Sequence, residues 1–325
     1  MTGATAVLHR PGTVGEAVRM LAEVGDVELL AGGTDLVPAL RTGLRRPRAL
    51  VALRRVLELR ARGVAPDLLT IGAGVTYAEL ADWEPAPGLA AAARAVGSAP
   101  IRNTGTVGGA LGSANPRGDL LTFLTAADAE VLTRSVRGGS RAVPVVGFLA
   151  TGRRRGELVT AVRFPVTRGP QVFLKVGGRQ AAYPALVNCA LVVDRAAGRI
   201  RCAVGGVTTG RLRPSVAEEF AAGEIDWSAP PSAEAGVAHR FGELVARAAR
   251  DAPEQLPAGP RDPADYRWHA AGVLASRALA RALAAASGDG DGDGDGDGDG
   301  GGGGGGGGGR DAGTAGDGAR GTGTA

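Results

Sequence analysis

Residues 101–119 read IRNTGTVGGALGSANPRGD, and residues 29–36 read LLAGGTDL. Each is a turn of small residues beside an apolar run. In the shorter stretch, Leu29 and Leu30 end what reads as a buried strand, and Ala31, Gly32, Gly33, Thr34, Asp35 and Leu36 follow. Glycine lets a turn bare its backbone N–H groups and lets a ligand come close. Consecutive bare N–H groups form an anion-binding concavity, and Thr34 adds a hydroxyl donor. The longer stretch repeats the recipe with Thr106, Val107, Gly108, Gly109 and Ala110, then Gly112 and Ser113. Two such turns facing each other would hold a pyrophosphate from both sides. Neither matches G-x-x-x-x-G-K-[ST] or G-x-G-x-x-G. On spacing alone, a phosphate site and a pair of ordinary turns both stay open.

Around these turns the chain alternates helical and strand patterns. Thr13 and Glu16 form a capping-box pair before a helix over 14–24, and Thr76 and Glu79 form a second before a helix to about 82. Strands are predicted at 27–31, 50–53, 68–72, 129–134 and 157–164, with a helical turn at 36–40 and helices at 89–96 and 119–127. Residues 165–170, held between Pro165 and Pro170, read as a linker. Beyond it come a strand at 172–176, a hairpin of 186–193 and 199–207 around a turn at 195–198, helices at 216–223 and 237–250, and a long helix from 264 to 286.

The composition narrows the function. The chain has 325 residues, enough for two domains. No apolar run approaches the roughly 20 residues that span a membrane. The start, MTGATAVLHRPG, lacks a basic segment followed by an apolar one, so a cytoplasmic location is expected. Lys175 is the only lysine among 37 basic residues. That skew toward arginine reads as coding bias, and the scattered arginines give no nucleic-acid footprint. Cys189 and Cys202 lack C-x-x-C spacing, and His9, His239 and His269 lie far apart. No metal or iron–sulfur site is expected on this chain. From residue 288 the sequence becomes Gly-Asp repeats and a glycine run. Such a segment cannot bury a core and is expected to be disordered.

Taken together, AGGTDL at 31–36 and IRNTGTVGGALGSANPRGDLL at 101–121 resemble the FAD-binding subunit of the molybdenum-containing hydroxylases, the xanthine dehydrogenase and carbon monoxide dehydrogenase medium-chain family. The order of motifs fits from about residue 5 to 284. The resemblance implies an α+β chain in three parts. The first is a two-lobed FAD-binding domain of the PCMH (vanillyl-alcohol-oxidase-like) type at 1–166. A smaller C-terminal α+β domain follows at 170–286, as in carbon monoxide dehydrogenase flavoproteins, and then the Gly/Asp-rich tail at 288–325. It also implies that residues 29–36 and Thr106, Val107, Gly108, Gly109 and Ala110 wrap the FAD pyrophosphate. Asp119 would bond the ribityl or adenosine part, Val159 would meet the ring system, and Tyr183 would shield the isoalloxazine.

The implied function is electron transfer with no catalytic side chain. A partner large subunit would carry the molybdenum cofactor, and a partner small subunit would carry two-iron iron–sulfur clusters, in a dimer of heterotrimers. FAD on this chain would pass electrons to NAD or another acceptor. The sequence departs from the family pattern at several positions, and Ala110 keeps the scaffold alternative open. The family usually has Asn where this chain has Ala110, and the usual acidic residue after the 50–51 strand is Ala52. The alternatives are an autonomous flavin oxidoreductase of the same fold and a scaffold subunit that has lost FAD.

Overall fold

A computed structural model describes residues 6–178, 184–228, 231–259 and 262–287. The expected tail and Tyr183 lie outside the described residues.

The chain opens with β1 (Val7–His9), α1 (Val14–Glu23), β2 (Val27–Leu30), α2 (Leu36–Arg41) and β3 (Ala49–Ala52). The strands form a parallel sheet in the order β1-β3-β2. Thr13 caps α1 by accepting from the Glu16 N–H at 3.1 Å. The Glu16 carboxylate takes the Gly12 N–H at 2.7 Å, one residue earlier than a capping box requires. Val14, Ala17, Val18 and Leu21 then lie on the buried face of α1.

Two 3-10 turns, Leu53–Arg55 and Leu57–Arg60, lead into β4 (Arg62–Val64) and β5 (Leu68–Gly72). Next come α3 (Tyr77–Ala81), α4 (Pro87–Arg94), α5 (Ala99–Thr104), α6 (Val107–Ser113) and α7 (Asp119–Ala126). The reciprocal capping box expected at Thr76 and Glu79 is present in full. Strands β6 (Glu130–Ser135) and β7 (Gly139–Pro144), helix α8 (Val145–Thr151) and strand β8 (Glu157–Pro165) complete this part. An antiparallel sheet results, in the order β4-β5-β8-β6-β7. β8 was predicted from its alternation. It lies between β5 and β6, and Leu158, Val162 and Phe164 are in the core.

The later elements include β9 (Gln171–Gly177), β10 (Ala185–Asp194), β11 (Arg199–Gly205), α9 (Ser215–Glu224), α10 (Val237–Asp251) and α11 (Ala264–Ser287), with a two-residue strand pair, Ile225–Asp226 and Ser232–Ala233, between α9 and α10. The antiparallel sheet runs β11-β10-β9, so the predicted hairpin is β10 with β11. β10 is buried on both faces, which explains its nearly unbroken apolar run. Because side chains alternate, Val187, Cys189, Leu191 and Val193 join the core under α10 and α11. Ala190 and Val192 join the core that holds α4, α7 and β8. One strand thus belongs to two cores. Cys189 and Cys202 are free, buried thiols with sulfurs 3.7 Å apart.

Helices α10 and α11 meet at two glycines. A Cβ on Gly242 would lie 2.5 Å from the Gly272 carbonyl oxygen, and one on Gly272 would lie 2.7 Å from that of Gly242. Any side chain there drives the backbones apart. Gly242→Val is expected to destabilise the protein by about 3 kcal/mol, the upper end of overpacking costs. Denaturant unfolding of the variant checks this.

A second test concerns β8. Its first residue, Glu157, accepts from Thr133 Oγ1 at 2.7 Å, Arg141 Nε and Nη2 at 3.0 Å and the Arg154 N–H at 3.1 Å. Burial opposes its charge, but these donors outweigh burial and hold its pKa below the ordinary value. A carboxylate with a lowered folded pKa adds stability above its unfolded pKa, and that stability is lost as pH falls through the folded value. Glu157→Gln is therefore expected to cost about 2 kcal/mol at neutral pH. Denaturant midpoints of variant and wild type should converge below the ordinary carboxylate range; a gap independent of pH would contradict the assignment.

Candidate functional site

The first turn joins β2 to α2. Leu29 and Leu30 are half-buried at the end of β2, and Leu36 opens α2. Between them, Gly33 has φ +76°, a region that favours glycine. Among the described residues, the N–H groups of Gly32, Gly33, Thr34 and Asp35 donate no backbone hydrogen bond. Four consecutive donors are thus left without a backbone partner. Asp35 is exposed, and its side chain does not cap α2.

The second stretch differs from the expected open loop: it folds into α5 and α6. Pro100 sits in the first turn of α5, where its missing N–H costs nothing. Thr106 caps α6 and accepts from the Gly109 N–H at 3.1 Å. The other early N–H groups of α6 are also paired. Val107 donates to Val75 O at 3.0 Å, Gly108 to Ala73 O at 2.7 Å and Ala110 to Thr106 O at 2.9 Å. These glycines therefore serve close approach rather than donation. A Cβ on Gly108 would lie 2.9 Å from Ala73, and one on Gly105 would lie 2.6 Å from the Tyr77 ring. Gly112 faces open space, with nothing within 4 Å of such a Cβ.

The two stretches touch. A Cβ on Gly32 would lie 1.9 Å from the Thr104 carbonyl oxygen. Bare backbone of the first turn thus rests on the end of α5.

Asp119 is placed beneath this region rather than on an open wall. It is 5% exposed and heads α7. Lys175 Nζ donates to its Oδ2 at 2.8 Å, and Asn188 Nδ2 donates to its Oδ1 at 2.6 Å. Burial pushes its pKa up, against the opposing pull of Lys175, Asn188 and Arg211. Arg211 donates to Asn115 O at 2.5 Å and Gly118 O at 3.3 Å. Burial lowers the Arg211 pKa to about 10, so its guanidinium stays charged at neutral pH. Arg102, within α5, donates to Val96 O at 3.1 Å and Gly97 O at 2.6 Å.

Ala110 and Val159 are packed into the main core, 8% and 6% exposed. Val159 immediately precedes a bulge at Thr160 in the β6–β8 pairing. Tyr77 was not singled out in the sequence. Burial, then the charges of Asp35 and Asp119, push its phenol above the ordinary value, so it remains protonated. Among the described residues no cluster of His, Cys, Asp and Glu could hold a metal ion, and no helix is long and apolar enough to cross a membrane.

Residues 3–167 match the family described as FAD binding domain in molybdopterin dehydrogenase. The chain belongs to that family. The Afipia carboxidovorans carbon monoxide dehydrogenase medium chain is 30% identical over 288 residues, 84% of this chain and 95% of the relative. The Sulfolobus acidocaldarius glyceraldehyde dehydrogenase medium chain is 31% identical over 209 residues, covering 61% of this chain and 74% of that one. A solved structure of carbon monoxide dehydrogenase from Hydrogenophaga pseudoflava that lacks the Mo-pyranopterin moiety of the molybdenum cofactor superposes with a TM-score of 0.74. It shares 27% identity over 87% of this chain and 99% of that one. The likeness to that solved chain, as a fold, therefore extends beyond the residues matched by the family. The expected α+β fold and the oxidoreductase class both stand.

The residues present fit FAD. Its pyrophosphate needs several donors and no bulky side chains, and the Gly32–Asp35 turn, seated on the end of α5, offers four N–H groups with no backbone partner among the described residues. The contact at Gly32 supplies a test. Gly32→Val should force the turn off Thr104 and weaken FAD binding at least tenfold, about 1.4 kcal/mol, with unchanged far-UV circular dichroism. Unchanged affinity in a flavin titration would show that the turn does not hold the cofactor.

Proposed function

We propose that this chain is the FAD-bearing electron-transfer subunit of a molybdenum-containing hydroxylase or dehydrogenase complex. The observation that carries this reading is the run of free N–H groups from Gly32 to Asp35, set against the end of α5. The family supplies the cofactor, and the turn supplies the place for its pyrophosphate.

In this reading Gly32, Gly33, Thr34 and Asp35 bind the pyrophosphate, with Leu29, Leu30, Ala31 and Leu36 presenting the turn. Thr106, Val107, Gly108, Gly109 and Ala110 form the facing wall. They act by shape, since their N–H groups are already paired. Val159 supports that wall from the core, and Asp119 supports it from beneath. Tyr183, outside the described residues, is assigned to shielding the isoalloxazine on the family resemblance alone. Residues 1–166 form the FAD-binding domain and 170–286 the smaller C-terminal one.

Bound FAD supplies redox chemistry, accepting electrons from an iron–sulfur small subunit and passing them to NAD or another acceptor. The substrate site then lies on the large subunit with the molybdenum cofactor, and the subunits assemble as a dimer of heterotrimers in the cytoplasm. The relatives named as medium chains support a multi-subunit assembly. No residue of this chain is assigned as an acid or base. Its task is to bind, orient and shield.

The test is reconstitution. The FAD-loaded chain is mixed anaerobically with its reduced iron–sulfur partner and followed by stopped-flow absorbance. Bleaching of the flavin bands that requires the partner supports the reading, and NAD added afterwards should restore the bands if it is the acceptor. Flavin that is reduced directly by an organic substrate, without partners, would overturn the reading in favour of an autonomous oxidoreductase.

A further inference from the structure

Between Glu130 and Glu157 the chain holds no carboxylate and six arginines: Arg134, Arg137, Arg141, Arg153, Arg154 and Arg155. They are spread along the sequence, and the fold gathers them. β6 and β7 form a hairpin whose turn lies between Ser135 and Gly139. Ser135 also pairs with Glu157, the first residue of β8. The hairpin turn and the bend that leads into β8 therefore stand side by side at one end of the five-stranded sheet. The hairpin carries three of the arginines, and the bend carries Arg153, Arg154 and Arg155.

The acids near this end are already committed. Glu157 is paired with Arg141, and Arg153 donates to the Glu157 backbone oxygen at 2.8 Å rather than to its carboxylate. Glu28, which acts on Arg153, is paired with Arg45 at 3.1 Å. Among the described residues, Arg141 alone of the six has an ion-pair partner. Arg134, Arg137, Arg154 and Arg155 are exposed. Arg155 extends the ridge to the turn after α1, where a Cβ on Gly25 would lie 3.5 Å from its Nη2. Neighbouring strands lie about 5 Å apart, within the Debye length of about 8 Å at physiological salt. The guanidiniums therefore repel one another, and folding leaves that repulsion unrelieved.

The shape of the ridge selects the kind of anion that relieves it. None of the six arginines lines the cavity between α10 and α11 or the one beside Phe164. The hairpin tip instead presents Val136, 53% exposed, between Arg134 and Arg137. Residues 131–156 hold one aromatic, Phe148, and it is buried in the core, so the ridge offers no ring for a base to stack on. An apolar spot flanked by exposed arginines suits an acidic protein face, where such charges steer the encounter. The ridge also adjoins the proposed FAD site. Val159 follows Glu157 by two residues, roughly 7 Å along the strand.

We infer that this ridge is the docking surface for an acidic face of the protein that delivers electrons to the flavin. Its charge steers that protein to the chain, and Val136 offers it an apolar contact. The ridge takes no part in the redox chemistry; it sets how fast the donor arrives. The inference rests on the FAD reading above, since a donor docked here needs a flavin on this chain to reduce.

The experiment uses the full chain loaded with FAD, and the reduced iron–sulfur small subunit as the probe. Wild type is compared with Arg134→Glu/Arg137→Glu, with Arg154→Glu/Arg155→Glu, and with a control, Arg240→Glu/Arg247→Glu, that reverses equal charge on the exposed side of α10. The two ridge variants lie on different segments, so a folding defect in one leaves the other to decide. Flavin bleaching in a stopped-flow instrument gives second-order rates at about 50 mM and about 500 mM salt. Binding of each chain to a short DNA duplex is followed by fluorescence anisotropy. Each ridge variant should retain FAD as wild type does and react about tenfold more slowly at the lower salt. At the higher salt the gap should close to within about twofold, because screening removes the steering. The control should stay within about twofold of wild type at both. Ridge variants that react as fast as the control would overturn the inference, and so would a slowing that salt does not change, which marks local damage. Lost affinity for the duplex with unchanged bleaching assigns the ridge to nucleic acid and overturns it too. A loaded wild type that the small subunit does not reduce overturns the electron-transfer reading and the docking partner together.

Discussion

Two stretches of backbone meet at Gly32 and Thr104, and they can do so only because one of them has no side chain. A single carbon atom added at Gly32 would overlap the Thr104 carbonyl. That contact fixes the β2–α2 turn against the end of α5, and with it the direction in which the turn's free N–H groups face. Backbone donors need no side-chain ordering when an anion arrives, so their affinity comes from geometry already established by folding. The two glycine-rich stretches, alike in sequence, divide the work. One keeps its donors free, and the other consumes its own in order to hold still.

Holding still is a matter of the surrounding structure. α6 is short and glycine-rich, and such a helix has little intrinsic stability. It persists because Thr106 caps it, because Ala73 and Val75 accept its first N–H groups, and because Leu111 and Val107 are in the main core. Strand β10 then ties this region to the rest. Its odd-numbered side chains belong to the core beneath α10 and α11, while Asn188, Ala190 and Val192 face α7 and the larger core. The later elements therefore act as a foundation for this region, delivering Lys175 and Asn188 to Asp119 at the start of α7.

Much of this was legible in the sequence. Strong periodicity announced β8, the β10–β11 hairpin and the long helices α10 and α11, and the two Thr–Glu pairs marked real helix starts. The glycine turns and Asp119 were singled out as a group, and they do lie together. The reading erred where tertiary contacts override local preference. Residues 101–113 read as an open loop because glycine and alanine carry no periodic signal, whereas their helical form depends on partners at residues 73 and 75. Nothing local shows that the partners of Asp119 stand 56 and 69 residues away. Lys175 carried one signal that could have been used. It is the one lysine in a chain otherwise committed to arginine, and it donates to two acceptors.

The central claim is that this chain itself holds the flavin. The most direct measurement is a visible absorption spectrum of the purified full chain after incubation with FAD and desalting. The account predicts flavin bands at close to one FAD per chain, retained through desalting. A folded protein that emerges colourless would contradict it.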